Sequence, residues 1–306
     1  MENQIEVKIV ADSVSETGAR ITTFECSYHR FFHSEMMTHR VFSRNAASSR
    51  AIPTVKLVEI VKSAPMLPVS LGANKPGMQA DEKQIDDSEL FIEDWKKLGI
   101  SIAEKVSDMT KYGAHKQIIN RPLEAFLPIK IVLTSTEWNN FFELRDSEFA
   151  QPEFHQLAKM MKLELSRSSP RELQEDEWHL PYITEDDLRY VSENTSEYEE
   201  YSKMLCEISA SRCARVSHAI GGLSKKSIEE EIKKGRELVS LKHMSPFEHI
   251  ATPWDVTDKY YKDIATITSL TDYLSTPDSV CPAWADVRNF RGWRQLRSFI
   301  EHNEYQ

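Results

Sequence analysis

The chain has 306 residues, room for one large domain or two ordinary ones, and its 40% hydrophobic and 28% charged residues support a sizeable core. No apolar run reaches the ~18 residues of a membrane span, and the start, MENQIEVKIVADS, has neither the basic nor the apolar region of a secretory signal. A formal net charge of −10 and a pI near 5.6 speak against bulk nucleic-acid binding, which draws on a broad basic surface, so the expectation is a cytoplasmic protein with no membrane or nucleic-acid partner. Cys26, Cys206, Cys213 and Cys281 form no CxxC pair and read as reduced, structural residues.

Residues 5 to 11 (IEVKIVA) and 20 to 28 (RITTFECSY) alternate apolar and polar positions and predict two strands. From Ser34 to Ala51 the spacing predicts a helix stopped before Pro53. On that helix Arg40, Arg44 and Ser48 share a face, and His39 and Ser43 form the neighbouring row. Residues 64 to 80 hold three prolines and two glycines and read as a long irregular loop, uncommon unless functional or disordered. An amphipathic helix is predicted over 87 to 112, with Leu90, Trp95, Leu98, Ile102 and Val106 on one side. Two more follow over 136 to 146 and 152 to 167, the second with Pro152 in its first turn. The acid-rich span 171 to 200 reads as an exposed insertion or solvated helical surface, and 227 to 243 as a further helix. No repeat or linker forces a boundary, so a single domain over 1–306 is expected.

The stretch MTHRVFSRNAASSRAIP, residues 37 to 53, concentrates positive charge in an acidic chain. Between His29 and Arg50 there are four arginines and one acid, Glu35. Guanidinium forks and serine hydroxyls suit phosphate, and Ala46, Ala47 and Ser49 would let a ligand approach closely. The alternative is a helix whose arginines pair with acids elsewhere. In HMSPFEH (243 to 249), Ser245, Pro246 and Glu248 stand at the spacing of a capping box, and such a helix start can offer N–H groups to an anion. His243 and His249, six apart, make a weak metal pair. HKQIINRPLEAFLP (115 to 128) adds Asn120 and Arg121, TEWNNFFELRDSEFAQPE (136 to 153) sets Asn140 and Arg145 among aromatics, and NFRGWRQLR (289 to 297) places three arginines around Trp293. Together these motifs suggest a ligand with several phosphates or carboxylates. There is no GxGxxG after a strand, no GxxxxGK[ST], no HExxH and no GxSxG, which argues against a Rossmann dehydrogenase, a P-loop enzyme, a zincin and an α/β-hydrolase.

In combination the motifs resemble the flavin-dependent thymidylate synthases. THRVFSRNAASSR matches that family's arginine-histidine-arginine signature at His39, Arg40, Ser43, Asn45, Ser48 and Arg50, and SPFEH stands intact at Ser245 to His249. Asn140, Leu144, Arg145, Ala150, Gln151 and Glu153 look like the family's downstream helix, and Ala214-Arg215-Val216-Ser217 resembles its ARVS element. Thr38, Ala46 and Ala51 depart from the pattern, which has arginine, an acid and tyrosine at those places. Here ARVS and SPFEH follow the signature instead of preceding it, the order of a circularly permuted, phage-type relative.

The resemblance implies an α+β fold, an antiparallel sheet with several long helices, with the motif order permuted, and a homotetramer with active sites at subunit interfaces. It implies FAD held by His39, Arg40, Ser43, Asn45, Asn140, Ser245 and His249. It implies dUMP, or a related pyrimidine nucleotide, held by Glu35, Ser48, Arg50, Arg121 and Arg145, with Arg145, Ser48 and Arg50 as the catalytic set and no metal. The implied reaction carries a one-carbon unit from methylenetetrahydrofolate to C5 of dUMP, giving dTMP, while NADPH reduces FAD. Alternatives are a hydroxymethyl-dUMP product or a non-catalytic nucleotide- or flavin-binding homologue. Arg30, Arg44 and the NFRGWRQLR arginines are candidates to replace the signature arginine absent at Thr38.

Overall fold

The computed structural model describes residues 4–216, 226–254 and 288–305. Strands β1 (Glu6–Ser15) and β2 (Arg20–His29) form an antiparallel hairpin. Gly18 closes its turn at φ +82°, a backbone region that glycine enters without steric cost. β1 runs four residues past its predicted end because Asp12 binds across the hairpin, accepting from Arg20 Nε and Nη2 at 2.9 and 2.6 Å and from Thr22 Oγ1 at 2.9 Å. β3 (Ser43–Ala46) and β4 (Pro128–Ser135) extend the sheet on one side, and β5 (Arg171–Leu173) on the other, in the order β3-β4-β2-β1-β5. The first four strands are antiparallel, as expected, whereas β5 runs parallel to β1.

The helix expected over Ser34–Ala51 does not form. A single helical turn, α1 (His33–Met36), leads into a bend, then β3, then a second turn. The polar spacing reflects side chains that bond nearby backbone and residues far along the chain rather than one core-facing stripe. In β3 the residues alternate buried and half-buried, and their backbones pair with β4 from Ser43↔Thr134 to Ala46↔Ile131. Asparagine and serine also favour backbone-bonded turns over helix interiors.

Among the described residues the remaining α-helices are α2 (Thr54–Ser63), α3 (Ser88–Met109), α4 (Lys116–Ile119), α5 (Asn139–Arg145), α6 (Pro152–Arg167), α7 (Glu185–Asn194), α8 (Tyr198–Arg215) and α9 (Ile228–Ser240), with a further helix at Leu296–Glu301. α3, α5, α6 and α9 fall where periodicity places them. α3 keeps Trp95, Ile102 and Val106 of its predicted stripe against the core, but the buried face is centred on Gly99 and Ala103, and Leu90 and Leu98 stay exposed. Gly99 decides this, since the Phe126 ring lies 3.0 Å from where a Cβ would sit. The irregular segment after α2 is tied to the core by Trp95 Nε1, which donates to the Met66 carbonyl at 2.9 Å, and by Val69 N, which donates to Glu153 at 2.9 Å.

One sheet face is apolar. Phe24, Cys26, Tyr28, Ile129, Ile131 and Leu133 pack with Leu57 and Val61 of α2, Val106 of α3, and Phe154, Leu157 and Met161 of α6, each such burial stabilising by about 1.5–3 kcal/mol. The alternate residues of the same strands carry Thr23, Thr134, Ser43 and Asn45 to the opposite face, which the C-terminal part of the chain covers. That cover includes His179, a 3-10 turn at Ser245–His249, and the two-stranded ribbon β6 (Ala251–Pro253) with β7 (Trp293–Gln295). Within the acid-rich span, Leu173, His179, Asp187 and Val191 are buried, while Glu185 and Asp186 are solvated. Asp187 receives both Nη groups of Arg212, at 2.5 and 2.6 Å, and Glu231 of α9 receives its Nε at 2.5 Å. Among the described residues Cys26, Cys206 and Cys213 are buried and unbridged; Cys281 lies outside them. No described helix is long and apolar enough to cross a membrane.

Candidate functional site

The segment from Met37 to Ile52 owes its shape to side chains that bind its own backbone. Thr38 Oγ1 donates to the Glu35 carbonyl at 2.7 Å, and Arg44 Nη1 donates to the carbonyls of His39 and Met37 at 2.9 and 3.2 Å. Past β3, the second turn lies in a cradle built by the 115–128 motif. Asn120 Nδ2 donates to the carbonyls of Ser49 (2.7 Å) and Ile52 (3.1 Å), and Lys116 Nζ to that of Ala51 (2.9 Å). Ser49 Oγ donates to Glu124 at 2.5 Å, and Arg30 Nη2 reaches the Ala47 carbonyl at 2.8 Å. This bracing leaves Arg40 and Arg50 exposed, and neither guanidinium has a hydrogen-bond or ion-pair partner among the described residues. Ser48 sits half-buried beside Arg50.

The bend brings His39 against α5. Arg145 Nε donates to His39 Nε2 at 3.0 Å, Arg145 Nη1 lies 3.5 Å from Glu35, and the guanidinium stands 4.5 Å over the Phe154 ring. His39 packs on Phe42 and edge-on to Phe141, at ring separations of 5.7 and 5.1 Å. Burial, with the charges of Arg145 and Arg44, lowers its pKa from 6.5 to about 4. His39 is therefore a neutral ring that accepts at Nε2 and carries its proton on Nδ1.

SPFEH does not start a helix. It is a 3-10 turn with Met244 at the N-cap position and no side-chain cap, so the expected capping box is absent. The reason is tertiary: Arg297 takes the Glu248 carboxylate, and the chain passes directly into β6. Ser245 is exposed, whereas His249 is wholly buried. His249 Nδ1 is 2.8 Å from Thr134 Oγ1, and its Nε2 is 3.4 Å from Asn45 Oδ1 in β3, 204 residues away in sequence. NFRGWRQLR closes the same strand from the other end. Asn289 Nδ2 donates to the Val41 carbonyl and to Ser43 Oγ at 2.8 and 3.2 Å, and Gln295 Nε2 to Ser43 Oγ at 3.2 Å.

Of the expected site residues, the structure joins Glu35, His39 and Arg145 in one contact group, and Asn45 with His249 in another. Arg40, Ser48 and Arg50 share the braced segment, and Asn140 is exposed on α5. Arg121 stands on the cradle and is paired with Glu124 at 2.9 Å. The candidates to replace the absent signature arginine are all occupied: Arg30 and Arg44 by backbone carbonyls, Arg291 by Glu137, Arg294 by Glu304, and Arg297 by Glu248 and Glu301. In ARVS, Arg215 pairs with Glu231, and Ser217 lies outside the described residues. Sequence reasoning missed His179, Thr23 and Thr134, which link into the His249 group. The only local sign was a threonine interrupting each apolar strand run.

The family model of the thymidylate synthase complementing proteins matches residues 15–171. Among solved structures, a UMP/dUMP methylase, PolB, from Streptomyces cacaoi bound with 5-Br UMP is similar at 16% identity and TM-score 0.45, over 54% of this chain and 90% of that one. The same methylase bound with 5-Br dUMP scores 0.44, over 54% and 91%. The flavin-dependent thymidylate synthase ThyX from Helicobacter pylori, complexed with FAD and dUMP, scores 0.33 at 16% identity, over 47% of this chain and 67% of that one. No curated protein matches the sequence.

Proposed function

The chain belongs to the thymidylate synthase complementing protein family, and from that premise we propose that it transfers a one-carbon unit from methylenetetrahydrofolate to C5 of dUMP, yielding dTMP, with NADPH reducing bound FAD. The observation that carries this reading is the pair of unpartnered guanidiniums, Arg40 and Arg50, held out by a braced segment in a chain of net charge −10. In such a chain a free arginine readily finds a carboxylate, and a segment that keeps two of them free suits an anionic ligand.

Arg50 and Ser48 would take the nucleotide phosphate. Arg145, oriented by His39 and Glu35, would place positive charge beside the uracil carbonyls and favour enolate character as C5 becomes nucleophilic. Glu35 and Arg121 are the further nucleotide contacts of this reading. FAD fits the accessible donors Arg40, Asn140 and Ser245 together with the neutral ring of His39. Ser43, Asn45 and His249 are hydrogen-bonded within the protein, so their part would be to hold β3 in place beneath the ligand. Bound FAD would supply the redox equivalents. The reading further takes residues 1–306 as one domain and the active unit as a homotetramer with shared sites.

A second reading, a hydroxymethyl-dUMP product, is favoured by the departures at Thr38, Ala46 and Ala51, since the candidates to replace the missing arginine, Arg30, Arg44, Arg291, Arg294 and Arg297, are all engaged elsewhere. One assay tests both. Purified protein is examined for flavin absorbance and for tritium release from [5-³H]dUMP with methylenetetrahydrofolate and NADPH, and the product is weighed by mass spectrometry. Tritium release with the mass of dTMP is expected. A hydroxymethyl mass selects the second reading, and the absence of release and of flavin overturns both.

A further inference from the structure

A file of hydrogen-bonded side chains crosses the polar face of the sheet, and its members lie on strands far apart in sequence. It runs from Ser13 Oγ to His179 Nδ1 (2.9 Å), from His179 Nε2 to Thr23 Oγ1 (2.8 Å), from Thr23 Oγ1 to Thr134 Oγ1 (2.7 Å), from Thr134 Oγ1 to His249 Nδ1 (2.8 Å), and from His249 Nε2 to Asn45 Oδ1 (3.4 Å). All six residues are buried; Thr23, Thr134, His179 and His249 are wholly so, and Asn45 is 8% exposed. Thr23 and Thr134 are cross-strand partners of β2 and β4, and Thr134 also faces Ser43 of β3, so the sheet register itself sets the hydroxyl spacing.

We infer that Ser13, His179, Thr23 and Thr134 act as positioning residues that hold His249 in its neutral Nε2–H tautomer, with that N–H directed at Asn45. The donor and acceptor count allows one assignment once the Asn45 end is given. An amide oxygen can only accept, so His249 Nε2 carries the hydrogen and Nδ1 must accept. Thr134 then donates to His249 and accepts from Thr23. Thr23, its own proton committed to Thr134, accepts from His179 Nε2–H, which leaves His179 Nδ1 to accept from Ser13. Every hydrogen bond in the file points the same way, and aligned bonds polarise and strengthen one another. Because the Asn45 oxygen cannot donate, reversing any member would set two donors or two acceptors against each other, so a change at Thr23 reaches His249 without touching it. Burial supports the neutral form of both rings, with pKa values lowered from 6.5 to about 3. The file also differs from the His39 site, where Arg145 imposes the opposite tautomer.

The His249 tautomer can be read on the whole chain without nucleotide or flavin. In protein labelled with ¹⁵N and ¹³C at histidine, NMR reads each ring's tautomer, with the two signals assigned by their loss in His249→Gln and His179→Gln. Both rings are expected as neutral Nε2–H. Thr134→Val, which keeps the side-chain shape but removes the hydroxyl that donates to Nδ1, should weaken the Nε2–H preference of His249 and shift its ring signals. Thr134→Ser should restore it, and Thr23→Val should weaken it at a distance. A wild-type His249 found as Nδ1–H or doubly protonated overturns the inference even if no variant folds. So does a His249 signal unmoved by Thr134→Val in a folded protein.

Discussion

Arg145 serves three neighbours at once: it donates to His39, faces Glu35 and lies over the Phe154 ring. Arg50, four residues past β3, has none among the described residues. The two arginines should therefore fail differently. Arg50→Ala and Arg145→Ala are each expected to weaken dUMP binding by about 1.5–3 kcal/mol, the scale of a hydrogen bond to a charged group, as measured by titration calorimetry. Unchanged affinity in both variants would remove them from the nucleotide site. Only Arg145→Ala should also move His39. The adjacent positive charge helps to depress that ring, so its pKa should rise from about 4 toward 6.5 in an NMR titration, whereas Arg50→Ala should leave it in place.

At the scale of the element, the turn after β3 depends on a cradle with no periodicity of its own. Asn120→Ala would strip the buried carbonyls of Ser49 and Ile52 of their donor, at an expected cost of about 1–3 kcal/mol for an unsatisfied buried group, read from urea unfolding. Because the same turn carries Arg50, nucleotide affinity should fall as well, although Asn120 need not touch the ligand. The α8–α9 pair offers a control away from the site. A Cβ on Gly235 would meet the Glu207 carbonyl oxygen at 2.5 Å, against rigid backbone. Gly235→Ala should thus cost roughly 1–3 kcal/mol by overpacking while the nucleotide affinity of the folded fraction is retained.

Across the whole molecule, buried neutral histidines couple the fold to acid. His179 and His249 are lowered from 6.5 to about 3 by burial. The unfolded chain therefore takes up protons below about pH 6.5 that the folded chain refuses until about pH 3. Their contribution is intact above pH 6.5 and is lost as the pH falls through that window, at no more than about 1.4 kcal/mol per pH unit for each ring. Melting temperatures should decline between about pH 6.5 and pH 4, and His179→Gln should flatten that decline. A variant as acid-sensitive as the wild type would show that His179 does not contribute to the decline.

Much of this architecture is written locally. The alternation in 20 to 28, the apolar period of 152 to 167 and the helical run from 227 each depend on neighbours a few residues away, so strands and helices could be placed from the sequence, and the motif set was enough to point to a family. The segment 34 to 51 was not legible in that way. Its polar residues answer to Arg44, Asn120 and β4 rather than to a single core-facing stripe, and competition between a helix and a sheet edge is settled by strand partners as distant as Thr134 is from Ser43. Nor could residue type separate bracing arginines from free ones, because Arg30, Arg44 and Arg50 differ only in what the fold places beside them. The sequence by itself determined which chemical groups are present and the short-range elements that carry them. Only the tertiary structure decided that SPFEH lies against β3 and that His179, Thr23 and Thr134 stand between Ser13 and His249, since hydrogen bonding across a sheet is set by strand register and not by proximity along the chain.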